Sequence, residues 1–244
     1  MKVPALLAAI CTLATLAGRG QQVIDVDKAG GPTIPASDVV GGFQGMIYNN
    51  EKFVRVTSGS AFFQDQFLPA TLYDATGSRY KAGAVRLNLL DNQINYKDGN
   101  GTEMVTTTPI KRVVLEDKDA GKTYTFVAGD QLNMPDKSSG AAWVQVLVNK
   151  QVSLVLWQKK SIHKSITYAQ ATQDEDIPTV NLYYVKMNGA FSEVKSFQDL
   201  INQFPDKRDI LIKYAKDNKL RGRTPEEYAA LVNYYNEIAF SNKS

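Results

Sequence analysis

Cysteine and histidine are nearly missing from this chain. Cys11 and His163 are the only examples in 244 residues. That shortage excludes a disulfide framework and the common zinc sets, which draw three or four ligands from Cys and His. It also argues against a serine or cysteine hydrolase of the usual kind, where a base must sit beside the nucleophile. His163 has Ser161 and Ser165 nearby, but neighbours along a strand seldom share that geometry. No G-x-S-x-G elbow occurs. Phosphate-cradling G-x-x-x-x-G-K-[ST] and G-x-G-x-x-G are missing as well, and "GGFQG" at 41–45 has the wrong spacing.

Long apolar runs are equally scarce. The one at the start, residues 3–17, is free of charge, rich in Ala and Leu, and follows Met1-Lys2. It is too short for a membrane span and reads as a secretory signal peptide over residues 1–20, cut before Gly18 or after Gly20. Cys11 lies inside it. "LAAIC" puts Ile10 where a lipidation signal needs a small residue, and Cys11 falls too early. Cutting after Gly20 removes Lys2 and Arg19, so 28 basic residues become 26 against 25 acidic, a net +1. An excess of one sign is thus lacking too, and no nucleic-acid partner is expected. The expected product is exported, periplasmic or extracellular, and not membrane-spanning after cleavage.

What remains is 43% hydrophobic over the whole chain, enough for a sizeable core. Residues 21–50 form an irregular, Gly- and Pro-bearing leader. Over 51–194, short runs rich in Val, Ile, Thr, Tyr and Phe alternate with turn residues. They include "KFVRVT", "FLPATLYD", "GAVRLNLL", "QINYK", "EMVTTT", "IKRVVL" and "TYTFV". Pro69 suggests an edge strand or a strand start. Val85, Leu87 and Leu89 share one face, and Asp91-Asn92 is a corner. Residues 141–160 are apolar on both faces and turn at Asn149-Lys150, as a strand pair buried on both sides would. Asn188-Gly189 signals a type I′ hairpin.

The period changes at 195–244. Ser196 caps a short helix with Asp199 three residues on. A second helix follows Pro205, with Ile210, Leu211, Tyr214 and Ala215 as its apolar stripe. Thr224, Pro225 and Glu227 give a third helix its cap, first position and capping box. Tyr228, Leu231, Val232, Tyr235 and Ile238 recur at helical spacing. The fold class is mainly β with C-terminal helices. An antiparallel meander forms a sandwich or half-open barrel, with two or three helices packed on it. An outer-membrane barrel is disfavoured by the short strands and helical end.

Gly59, Ser60, Asp65 and Phe67 spell G-S-x-x-Φ-x-D-x-F, where Φ is apolar. Arg86 and Asn88 follow as R-x-N-Φ, then Gly101 and Glu103. With the tail "FQDLINQFPDKRDILIKYAKDNKL", these residues resemble an uncharacterised family of small exported β-rich proteins from Bacteroidota-type bacteria. The similarity covers roughly residues 58–238. It implies export and architecture and transfers no catalytic residue.

Few stretches suggest chemistry. In "DGNGTE", Asp98, Asn100 and Glu103 offer three oxygens, fewer than a calcium loop gathers, while Asp-Gly and Asn-Gly are ordinary hairpin corners. Asp174-Glu175-Asp176 reads as a solvated loop, and Lys159, Lys160, His163 and Lys164 as a surface or edge-guarding run. The twelve tyrosines, among them Tyr183, Tyr184, Tyr234 and Tyr235, are packing material. The sequons at Asn100 and Asn242 matter only in a eukaryotic secretory host. No catalytic, metal or cofactor-binding residue is assigned. The expected role is a non-catalytic binding or structural protein of the cell envelope, its partner an envelope protein or a glycan. Two alternatives stand beside it: a carboxylate-dependent hydrolase of glycan or peptide, and a carrier holding an apolar ligand in a curved sheet.

Overall fold

A computed structural model of the chain describes residues 23–25, 43–48, 54–165 and 173–240. The signal peptide at 1–20, much of the leader and Asn242 lie outside the described residues.

The strands are β1 (Val23–Asp25), β2 (Gly45–Ile47), β3 (Val54–Gly59), β4 (Leu68–Asp74), β5 (Arg79–Asn88), β6 (Gln93–Lys97), β7 (Glu103–Thr106) and β8 (Ile110–Asp117). After them come β9 (Lys122–Ala128), β10 (Trp143–Val148), β11 (Ser153–Lys160), β12 (His163–Ser165), β13 (Gln173–Ile177), β14 (Thr179–Met187) and β15 (Ala190–Val194). Helices α1 (Phe197–Asn202), α2 (Arg208–Asp217) and α3 (Pro225–Phe240) close the described chain. The fold is mainly β with three C-terminal helices, as the patterning requires. One large sheet runs β15-β14-β11-β10-β9-β8-β4-β5-β6-β7-β2 and is not closed into a barrel. No helix among the described residues is long and apolar enough to cross a membrane.

Four pairings lie outside the meander. β1 adds to β5 in parallel, and β2 adds to β7, so the leader supplies two short strands. β3 pairs in parallel with β13, which pairs with β12, making a small second sheet. The run Asp174-Glu175-Asp176, expected as a solvated loop, is therefore the middle strand of that sheet. The chelate of Asp174 with Arg55, at 2.9 and 2.8 Å, and the Thr57–Asp176 hydrogen bond compensate its density of charge. Pro69 sits near the start of β4, a central strand, at a register shift that spares the sheet its missing N–H.

Val85, Leu87 and Leu89 are buried as their alternation demands, in a cluster drawn from successive strands β4 to β10. β10 and β11 are covered on both faces. Leu154 and Leu156 meet the helices, while Val155 and Trp157 meet Met134 and Ala142 of the 129–142 connection. Each large side chain buried this way contributes roughly 1.5–3 kcal/mol. Stacked rings dock the helices: Tyr183 on Tyr228, Phe204 on Tyr235, Tyr214 on Tyr234. Ile210, assigned to the apolar stripe of α2, is instead exposed, because Leu211 and Ala215 alone carry the buried face. Asn188 and Gly189 both take positive φ, the geometry of a type I′ corner.

Candidate functional site

The residues of the G-S and R-x-N motifs come together at one junction. Register places Arg86 opposite Asn95 on β6, and Glu103 lies on the same face of β7. Arg86 Nη2 donates to both Glu103 carboxylate oxygens, at 2.8 and 2.9 Å, and Asn95 Nδ2 donates to Oε1 at 2.7 Å. Phe62 and Phe67 present their rings to the same guanidinium. Ser60 donates to Asp65 and accepts from Phe62 N–H. Asn88 Oδ1 accepts from Leu90 and Asp91 N–H and so shapes the β5–β6 corner. This machinery is spent on holding strands.

The corner at "DGNGTE" joins two of these strands. Asp98 Oδ1 accepts from Asn100 and Thr102 N–H, both at 2.9 Å, and closes the turn. Glu103 faces Arg86 instead, so the oxygens do not converge on a common point. His163 lies exposed on β12, in register with Asp176. The basic run divides. Lys160 is half-buried and donates to the Ser60 carbonyl and Thr179 Oγ1, with burial holding its pKa below the usual lysine range. Lys164 sits near Glu175.

Beside the junction a cleft of about 290 Å³ opens between the two sheets, lined by Tyr48, Phe62, Asp65, Asp91 and Glu175 among others. Asp65 and Asp91 already receive hydrogen bonds from Ser60 and Asn88.

A larger cleft, about 420 Å³, lies where the strand core meets the helix core. Tyr124 of β9 and Phe63, packed edge to face at 4.9 Å, form one wall. Gln145, Leu147 and Gln158 from β10 and β11 line it, with Pro225, Glu226 and Ala229 of α3 opposite. Lys122 and Glu226 join across it at 2.8 Å. Their hydrogen bond raises the lysine pKa and lowers that of the carboxyl.

The amides are the unusual feature. Gln145 lines this cleft and is only 8% exposed. Gln158 Oε1 is buried without a donor. So is Oε1 of Gln64, whose Nε2 reaches the Tyr124 hydroxyl at 3.5 Å. Buried amides without partners are rare, because each forfeits its hydration. The apolar residues on both faces of 141–160 point to a buried strand pair and leave Gln145 and Gln158 without a role. The available signal was an amide in the middle of "WVQVLV".

Scanned against protein-family models, curated proteins and solved structures, the chain matches none of them.

Proposed function

We propose that the chain is an exported, non-catalytic binding protein of the cell envelope that holds a polar ligand in the cleft between β9–β11 and α3. The observation that carries this reading is the pair of amides lining the cleft, Gln145 and Gln158, with Gln158 Oε1 buried and without a donor among the described residues. Leaving such a group unpaired costs about 1–3 kcal/mol, so a ligand bearing donors and acceptors recovers free energy by binding there. The apolar run at 3–17 and the resemblance over roughly 58–238 support export. The amides favour a polar ligand over the apolar cargo of a carrier. Against a hydrolase, the cleft has one carboxylate, Glu226, and Lys122 holds it.

The test is a titration of the isotope-labelled protein with soluble envelope glycan fragments and with short peptides, read by amide chemical shifts and by chromatography of the ligand. Shifts confined to β9–β11 and the start of α3, with the ligand recovered intact, are expected. Conversion of the ligand would replace this reading with the hydrolase, and an unperturbed cleft would end it.

A further inference from the structure

Resting on that binding reading, we infer that the ligand of the β9–β11/α3 cleft is an uncharged carbohydrate, its hydroxyls held by Gln145 and Gln158 and its C–H face laid against Tyr124 and Phe63.

Four features of the lining select this class. The first is charge. Lys122 and Glu226 are the charged lining residues and they neutralise one another at 2.8 Å, so neither a cation nor an anion finds an uncompensated partner. The second is backbone. Gln145 pairs with Phe126 on one side and Leu156 on the other, so β10 is a central strand here, with one bulge between Val146 and Val148. A peptide adds to a sheet at an edge, where N–H and C=O groups are free, and the floor of this cleft is central.

The third is polarity. An apolar ligand would strip water from the Gln145 and Gln158 amides that line the cleft and give no hydrogen bond in return. A hydroxyl both donates and accepts. It can donate to an amide oxygen or accept from an amide N–H, so it suits the glutamines that line the cleft. The fourth is shape. About 420 Å³ falls within the range of small-ligand sites, roughly 300–1,000 Å³. Its walls divide into aromatic rings and amides, as the two kinds of surface on a sugar ring do.

Gln145→Leu separates a binding role from a structural one. Leucine keeps about the same bulk between Phe126 and Leu156 and removes the amide. The variant is expected to melt within about 4 °C of the wild type, so that a loss of binding is not a loss of fold. Chitotriose and maltotriose serve as neutral probes, with trigalacturonic acid and trialanine as charged-sugar and peptide controls, in calorimetric and chemical-shift titrations. At least one neutral trisaccharide is expected to perturb Tyr124, Gln145 and Gln158, and to bind Gln145→Leu at least tenfold more weakly. Equal binding to wild type and variant overturns the proposal. Perturbation of the cleft by trialanine or trigalacturonic acid alone overturns the carbohydrate assignment and leaves the binding reading standing. No perturbation by any of the four removes both.

Discussion

Arg86 lays its guanidinium 3.7 Å from the centre of the Phe62 ring while it chelates both carboxylate oxygens of Glu103. Planarity makes the two contacts compatible, since the ring takes the face of the guanidinium and the carboxylate takes its edge. A lysine ammonium cannot do both. Arg86→Lys and Glu103→Gln are each expected to cost about 2 kcal/mol, because the pair is mostly buried and Asn95 also depends on Glu103. The double variant should cost clearly less than the sum, as measured by urea unfolding. Strict additivity would show that the contacts act independently.

Two glycines with similar backbone angles should respond differently to alanine. Gly59 has φ +77°, and an added Cβ would overlap the carbonyl of Ile177 where β3 meets β13. Gly101 has φ +81° with open space around it. Gly101→Ala is expected to cost only the left-handed penalty, about 1–2 kcal/mol. Gly59→Ala should cost more and should loosen amide protection in β3 and β13 selectively. Equal losses at the two positions would contradict this assignment.

Asn236 fastens α3 to the β10–β11 connection. Its Oδ1 accepts from Val152 N–H at 2.9 Å, and its Nδ2 donates to the Val152 and Val232 carbonyls. Asn236→Ala strands both main-chain groups of a fully buried residue and should destabilise by about 2–4 kcal/mol. Hydrogen exchange at Val152 N–H should accelerate more than exchange in β5, which lies far from the break. Uniform acceleration would deny the local link.

Alkali should weaken the fold through two phenols. Burial lifts Tyr96 and Tyr183 to about 12, against 10.0 when unfolded. Both hold their protons more tightly in the folded state. Their contribution is therefore complete below pH 10 and is lost as pH climbs through 12. The loss is roughly 2–3 kcal/mol for each. Unfolding free energies measured across that window should fall less steeply for Tyr96→Phe and Tyr183→Phe. A slope unchanged by both substitutions would refute the assignment.

Where a residue's role is local, the sequence announced it. Ser196 caps α1, accepting from Asp199 N–H. Thr224 accepts from Glu227 N–H, while Glu227 reaches back to Arg221 and Arg223 N–H, further than a simple capping box. Most strands showed themselves by alternation because they pack one face on a core, and β10 and β11 by apolar residues on both faces. Asp174 to Asp176 did not, since what makes three acids tolerable in a strand is Arg55 and Thr57, more than a hundred positions earlier. Gln145 escaped for a related reason. Its place in a cleft is a property of the assembled fold, and an amide in an apolar strand reads the same whether or not a cleft opens beside it.

The small sheet joins Arg55 to Asp174 across 119 positions of chain. β3 emerges early during synthesis and waits, its parallel mate not yet made, until the large meander has nearly finished. Any chain cut short before β13 leaves β3 without that neighbour. Such a fragment offers the bare edge of β3 to a protease or chaperone that reads strand edges.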